Sequence, residues 1–246
     1  MVGVADPKNP KMYPELNEPS IHFPSVIGGN YKIWNAVVIP GNQICWTLGQ
    51  QLSLDEAKDL QFRNSEWGPE SNETMIREFQ DYLCPLGGKM SDIIDDTPKD
   101  RISRVFLEEK VFRTWYHGRT VLIGDAAHKL QPVGGFGAVN AFQDTVILAN
   151  CLYEMQDTSS KSVTSAFEKY YSQHHRHVQA QFDLSHTLSK VLMGQTLIER
   201  VMRQVLFKYV PSSLFRRETI KNWKYCSTVA WLPPVKKNRS TTTSKK

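Results

Sequence analysis

The sequence predicts an α/β fold, with a mixed β-sheet carried by its first half and helices by its C-terminal half. Apolar residues alternate with period two in the segments Tyr31 to Ile39 and Gln43 to Gln50, and a further β-rich run spans Val105 to Phe112. From Ala138 onward the period is 3.6. Between the two regimes, Arg119 to Asn140 reads as strand, sharp turn, glycine loop and helix start. The chain divides accordingly into a sheet region at 1–112, a strand-loop-helix region at 113–155, C-terminal helices at 156–210 and a tail at 211–246, mostly irregular or disordered.

Taken in order, Met1 to Pro24 holds five prolines and little periodicity, so only its apolar opening suits a strand. Tyr31 to Ile39 and Gln43 to Gln50 flank Pro40-Gly41-Asn42, a turn sequence that suits a hairpin, and the alternation of Ile44, Trp46 and Leu48 gives it one buried face. A polar helix start near Leu54 leads to a loop from Arg63 to Pro69. Ser71 is placed to cap a helix bearing Met75, Ile76, Phe79, Tyr82 and Leu83, which Pro85 and Gly87-Gly88 stop. A short helical turn at Met90 to Asp96 precedes the Val105 to Phe112 strand. Trp115 and Tyr116 are read as core packing, since aromatics most often fill cores.

Thr120 to Ile123 is a β-branched, apolar run expected to form a strand buried on both faces, ended abruptly by Gly124-Asp125. The helix that follows the glycine loop carries Ala138, Ala141, Phe142, Thr145, Leu148, Ala149 and Leu152 at three- and four-residue spacing, the stripe expected to face the core. After a polar linker at Gln156 to Lys161 comes a long helix from about Val163 to Leu192. A last amphipathic helix bears Leu197, Ile198, Val201, Met202, Val205 and Leu206. Its stripe, with Arg200, Arg203 and Lys208, suits peripheral contact with a membrane surface, although packing against the domain is the commoner use. Trp231-Leu-Pro-Pro234 is placed to dock a last turn, with disorder expected beyond it.

With 246 residues, 40% of them apolar and 11% aromatic, the chain can bury a real core. Its net charge of +5 gathers near the end, at Lys236, Lys237, Arg239, Lys245 and Lys246, and no strand or helix elsewhere combines clustered cations with interleaved aromatics, so no nucleic-acid face is expected. The four cysteines form no C-x-x-C pair, which argues against zinc and a disulfide scaffold and fits a reducing, cytoplasmic setting. No apolar run is long enough to span a bilayer. His174 and His177 share a helix face, but with no carboxylate or third ligand at matching spacing they read as a solvated or core-edge cluster and not a metal site. Oligomeric state is not legible.

The chemistry centres on Arg119 to Asn140. Asp125 sits at a strand's C-terminal end, where open α/β sheets bind ligands. Gly134, Gly135 and Gly137 remove the Cβ atoms that would hold a ligand ring away from the backbone, and the helix beginning beside them presents free N–H groups and a partial positive charge. The segment is a poor dinucleotide fingerprint, because Asn140 stands where a third glycine belongs.

Gly124-Asp125-Ala-Ala-His128, Pro132, Gly134-Gly-Phe-Gly137 and Asp144 together resemble the second FAD-binding motif of the class A flavoprotein monooxygenases, the para-hydroxybenzoate hydroxylase-like family. Phe62-Arg-Asn-Ser-Glu-Trp-Gly-Pro69 and Leu107-Glu-Glu-Lys-Val-Phe112 resemble its fungal branch, and the likeness extends from about residue 10 to about 155. The resemblance implies FAD as cofactor, held by Gly124, Asp125, Pro132, Gly134, Gly135, Phe136, Gly137 and Ala138, with Asp125 on the ribityl chain and the loop along the pyrimidine side. It also implies NAD(P)H as co-substrate and a small organic molecule hydroxylated or epoxidised with O2. Where many members carry an asparagine this chain has Val139, its amide coming one residue later at Asn140. His128 suits a structural or flavin-edge role as well as an acid-base one. The Gly-x-Gly-x-x-Gly region of the family is not found, so the fold is expected to be an incomplete, Rossmann-like FAD-binding domain joined to the substrate-side sheet, and residues 1–246 alone are expected to hold FAD weakly. A reading of a different class is a non-catalytic remnant or interaction module that keeps half of the site.

Overall fold

The computed structural model describes residues 1–20, 22–29, 31–52, 69–194, 196–211, 213 and 225–233. Two compact units are present, one of Met1–Phe106 with Lys190–Gln204, the other of Leu107–Ser189 with Val205–Lys246.

The first unit is built on a five-stranded sheet of β1 (Val2–Ala5), β2 (Ser25–Ile27), β3 (Lys32–Ile39), β4 (Gln43–Gln50) and β5 (Ile102–Ser103), in the order β2-β3-β4-β1-β5. The expected hairpin is β3 and β4, in register from Lys32 opposite Gln50 to Ile39 opposite Gln43. Gly41 and Asn42 both take positive φ in its turn, a conformation that glycine and asparagine tolerate best. The period-two pattern buries Trp34, Ala36, Ile44, Trp46 and Leu48 on one face, where helices α1 (Pro69–Phe79) and α2 (Met90–Asp95) contribute Met75, Phe79, Met90 and Ile93 to the same core. The two buried indoles find partners, Trp46 Nε1 donating to Thr97 Oγ1 at 2.8 Å and Trp34 Nε1 to the Leu83 carbonyl at 2.9 Å.

Two expectations need correction here. The sheet is antiparallel along every described ladder instead of mixed. Val105 to Phe112 does not join it: only Lys110–Val111 is strand (β6), and Val105 and Leu107 are more than half exposed. Apolar and β-branched residues make a strand only where the backbone meets a partner, and in this run only Lys110 and Val111 do, opposite Lys129 and His128. The helix start near Leu54, the loop before Pro69 and the side chain of Ser71 lie outside the described residues, as does the tail from Pro234.

In the second unit, β6 pairs with β9 (His128–Lys129), and β7 (Tyr116–His117) pairs with β8 (Thr120–Val121). Helices α3 (Phe136–Tyr153) and α4 (Ser160–Met193) pack with them around Trp115, Ala127, Ile147, Cys151, Ala166, Tyr170 and Val178. Trp115 is fully buried, as expected of a core aromatic, and its ring meets those of His128, Tyr170 and Tyr171. The Thr120 to Ile123 strand is shorter and less buried than expected: two residues long, with Ile123 40% exposed. Its described pairing is the single antiparallel hairpin with β7, so no neighbours flank it on both sides.

Helix α3 departs most from the sequence reading. The apolar stripe expected to face inward leaves Phe142 73% exposed. The buried face is the neighbouring one, with Phe136, Asn140, Gln143, Asp144, Ile147 and Cys151. Three polar side chains therefore point into the unit, and each has a partner there. Helix α5 (Leu197–Tyr209) follows α4 through a turn at Gly194, where Arg200 and Arg203 donate to the Gly194 and Leu192 carbonyls.

Candidate functional site

The site is organised by Asp144, fully buried in the middle of α3. Its Oδ2 accepts the backbone N–H of Gly124 at 2.7 Å and the Nε2–H of His128 at 2.8 Å. Its Oδ1 accepts the hydroxyl of Tyr170 at 2.9 Å and lies 3.1 Å from His174 Nε2, a close polar contact less well aligned than that of His128. Burial disfavours the ionised carboxylate, but the hydrogen bonds from His128 and the Gly124 N–H, with His174 in close polar contact, outweigh it and hold the group well below the ordinary carboxylate range. The same burial, with the negative charge of Asp144 beside it, pushes the Tyr170 hydroxyl strongly up, so Tyr170 remains a donor.

This hub ties three segments together. Gly124 has φ of +59°, a conformation that side-chain-bearing residues rarely adopt, and its N–H is aimed at Asp144 by that turn. A 3-10 turn at Gly124–Ala126 follows, Ala127 N donating to the Gly124 carbonyl at 2.9 Å, and Asp125 is left exposed at the surface of the turn. The fully buried His128 completes the β6–β9 bridge opposite Val111. Tyr170 and His174 come one turn apart from α4.

The glycine loop sits at the N-terminal end of α3. Pro132–Gly134 forms a 3-10 turn, Gly135 takes φ of +65° as the residue before the helix, and no side chain caps the first helical N–H groups. The glycines divide by role. A Cβ on Gly134 would lie 2.4 Å from the Phe136 ring, so this position is glycine because Phe136 packs over it. Cβ atoms on Gly135 or Gly137 would meet nothing within 4 Å. Open space therefore lies above Gly135 and Gly137, beside free helix-end donors, with Pro132 and Ala138 exposed alongside. This cradle fits a flat, electron-rich group laid along the backbone.

Asn140 is not free to reach such a group. Its side-chain amide donates to the Phe136 carbonyl at 2.8 Å and to Gln181 Oε1 on α4. Gln181 in turn bonds His177 Nε2 at 2.9 Å, and the His177 ring stacks on Tyr225 at 3.7 Å between centroids. Ser185 completes the α4 contribution by donating to the Gln131 carbonyl just before the loop.

Of the two histidine expectations, solvated or core-edge, this arrangement corrects the first. His174 is fully buried instead of solvated, and the carboxylate that sequence spacing could not supply comes from Asp144 on another helix. Among the described residues, His128, Asp144 and His174 offer ligand atoms all within 4.8 Å of one another. An ion there would have to displace the Gly124, His128 and Tyr170 protons already directed at the carboxylate, so the cluster reads as a hydrogen-bonded hub and not a metal centre. No motif in the local sequence marks Tyr170 or Gln181, and Asp144 stands out there only as part of one. The available signal was the helical spacing of Tyr170, His174, Gln181 and Ser185 on the face that also carries Val163, Ala166 and Val178.

Comparison with known proteins bears on this site. Residues 65–185 match the family described as FAD binding domain. The chain is 29% identical over 154 residues to the FAD-dependent monooxygenase esdpE of Penicillium shearii, covering 60% of this chain and 31% of that protein. It is 35% identical over 85 residues to the aurachin C monooxygenase/isomerase of Stigmatella aurantiaca, 34% of this chain and 21% of that one. Its backbone resembles Klebsiella pneumoniae HpxO in complex with FAD and uric acid, with a TM-score of 0.57 at 14% identity over 90% of this chain and 51% of that chain. It also resembles the tetracycline destructase Tet(51), with a TM-score of 0.57 at 15% identity over 93% of this chain and 53% of that one. The fold is the α/β fold of FAD-binding proteins. The chain spans about a third of the length of the first curated relative and about half of these solved structures.

Proposed function

We propose that this chain provides one side of the FAD site of a monooxygenase that uses NAD(P)H and O2 to oxidise a small organic substrate. The observation that carries the reading is a juxtaposition: Asp144, in the middle of α3, holds the turn of the exposed Asp125 through Gly124 against the same helix that opens, uncapped, from the glycine loop, inside the segment similar to FAD-binding domains. FAD, when bound, supplies electron transfer and oxygen activation.

The chain's residues supply position and charge. The backbone N–H groups of Gly137, Ala138 and Val139 face outward from the helix start and favour negative charge on a ring laid over Gly135 and Gly137. The Asp125 carboxylate, free in its turn, accepts from ribityl hydroxyls. Asn140 stays with Gln181, leaving contacts from this turn to the backbone. His128, turned inward onto Asp144, is assigned a structural role, since it donates to a carboxylate that no solvent reaches.

A titration of purified chain with FAD, followed by flavin fluorescence, tests the site. Residues 1–246 contribute contacts from one side, so binding should be saturable but weak, because the remaining contacts must still offset several kcal/mol of lost ligand freedom. Gly137→Val fills the open space over the helix start and should abolish that binding with helicity unchanged by circular dichroism. Equal binding by the variant would remove the loop from the site and favour a non-catalytic module. A chain that purifies yellow and stoichiometrically loaded would overturn the one-sided reading.

A further inference from the structure

We propose that α5 is an interfacial anchor that lies in the plane of an anionic phospholipid bilayer. Leu197, Ile198, Val201, Met202, Val205 and Tyr209 are all exposed, between 47% and 76%. At 100° per residue they fall within an arc of about 140°, roughly two-fifths of the helix circumference. An apolar stripe of that width normally faces a core, yet α5 contains no buried residue. Phe207, off the stripe, is also 63% exposed.

Charge selects the occupant. Lys208 falls just inside one margin of the stripe, between Leu197 and Val201, with its ammonium 5.5 Å from the Tyr209 ring centroid, and Arg200 flanks the same margin beyond Leu197. Within Leu197–Tyr209 the helix holds three basic residues, Arg200, Arg203 and Lys208, and one acidic residue, Glu199, a net +2. A second copy of this segment would bring like charges together, and a neutral apolar partner would leave them without a counterpart. A surface of anionic headgroups over acyl chains accepts both features at once. No helix among the described residues is long and apolar enough to cross a membrane, so the stripe rests in the interface instead of spanning.

Flotation of the full chain on a density gradient with unilamellar vesicles decides this, because aggregates sink while vesicle-bound protein rises. The chain should float with phosphatidylcholine vesicles containing phosphatidylserine, and bind roughly 30- to 150-fold less tightly to phosphatidylcholine alone or at high salt, the scale expected from two or three basic residues near the surface. The double variant Val201→Glu with Val205→Glu, at two exposed positions, should stay at the bottom while keeping the circular dichroism of the parent. If that variant is misfolded, Lys208→Glu carries the decision and must lower flotation with the anionic vesicles only. The proposal is overturned if the parent chain fails to float, if the variants float as well as the parent, or if sedimentation shows a dimer that the double variant dissociates while vesicles capture neither.

Discussion

At the scale of single residues, Asp144 and Asp125 are two aspartates with opposite tasks, set by burial. Asp144→Asn keeps the shape but turns an acceptor-only carboxylate into a group with an N–H2 aimed at Tyr170, His128 or the Gly124 amide. Disruption of a buried charged network on this scale costs about 3–5 kcal/mol. Tyr170→Phe removes one donor and leaves the carboxylate its others, for a loss nearer ~1–2 kcal/mol. Urea unfolding of the three proteins should rank them in that order, and equal midpoints for Asp144→Asn and the parent would mean that the hub is not a source of stability. Asp125 is exposed, and among the described residues it has no protein partner that would make it structural. Asp125→Ala should therefore leave the unfolding midpoint unchanged while weakening FAD binding in a complete enzyme by roughly 1.5–3 kcal/mol, the scale of a charged hydrogen bond. Unchanged affinity by calorimetric titration would remove Asp125 from the site.

At the scale of elements, the glycine loop makes a prediction that separates packing from backbone strain. Gly135→Ala meets no atom within 4 Å but must hold φ of +65°, which costs about 1 kcal/mol for an L-residue. Gly134→Ala has an ordinary φ but would drive its methyl into the Phe136 ring, so Phe136, buried at the helix start, must shift. Overpacking of that kind costs about 1–3 kcal/mol. Thermal unfolding should find Gly134→Ala the more harmful of the two, and near-UV circular dichroism should change for it alone. The reverse order would mean that Phe136 repacks freely. Helix α3 is the element whose face was misread, and the cause is local. Its apolar stripe and its polar stripe lie side by side, and only partners from other segments decide which one turns inward. Gln143 receives the Ser227 N–H, and Asn150 spans Thr228 and Ala230, so the segment at 225–233 is stitched along the same helix.

For the whole molecule, acid is the informative perturbation. His177 is held below its ordinary 6.5 by burial first and by nearby His174 second, and His175 by burial. A histidine with a depressed pKa binds protons more readily in the unfolded chain, so the stability it reports is fully present above about pH 6.5 and drains away as pH falls below it. Asp144, lowered from 3.8, acts in a second window: its contribution is present above about pH 4 and is lost on further acidification. Urea midpoints should therefore fall in two stages from neutral pH downward, and His177→Gln should flatten the first stage only. A midpoint constant from pH 7 to pH 5 in the parent, about the range the histidines govern, would contradict the first assignment.

What the sequence determined by itself is whatever depends on near neighbours. The β3–β4 hairpin follows from alternation around Pro40-Gly41-Asn42, the helices α3 and α4 from 3.6-residue periodicity, and the turn at Gly124-Asp125 with the open loop at Gly135 and Gly137 from residues that tolerate such backbones. Tertiary structure alone decided the rest. Lys110–Val111 became strand, and Val105 did not, because a ladder needs an edge supplied from elsewhere in the chain. His174 became a buried partner because Asp144 lies 30 positions earlier on a different helix. Asn140 was withdrawn from the open loop because Gln181 reaches it from 41 residues away. A buried polar side chain is stable only where a partner meets it, and a partner that far along the chain leaves no trace in local pattern.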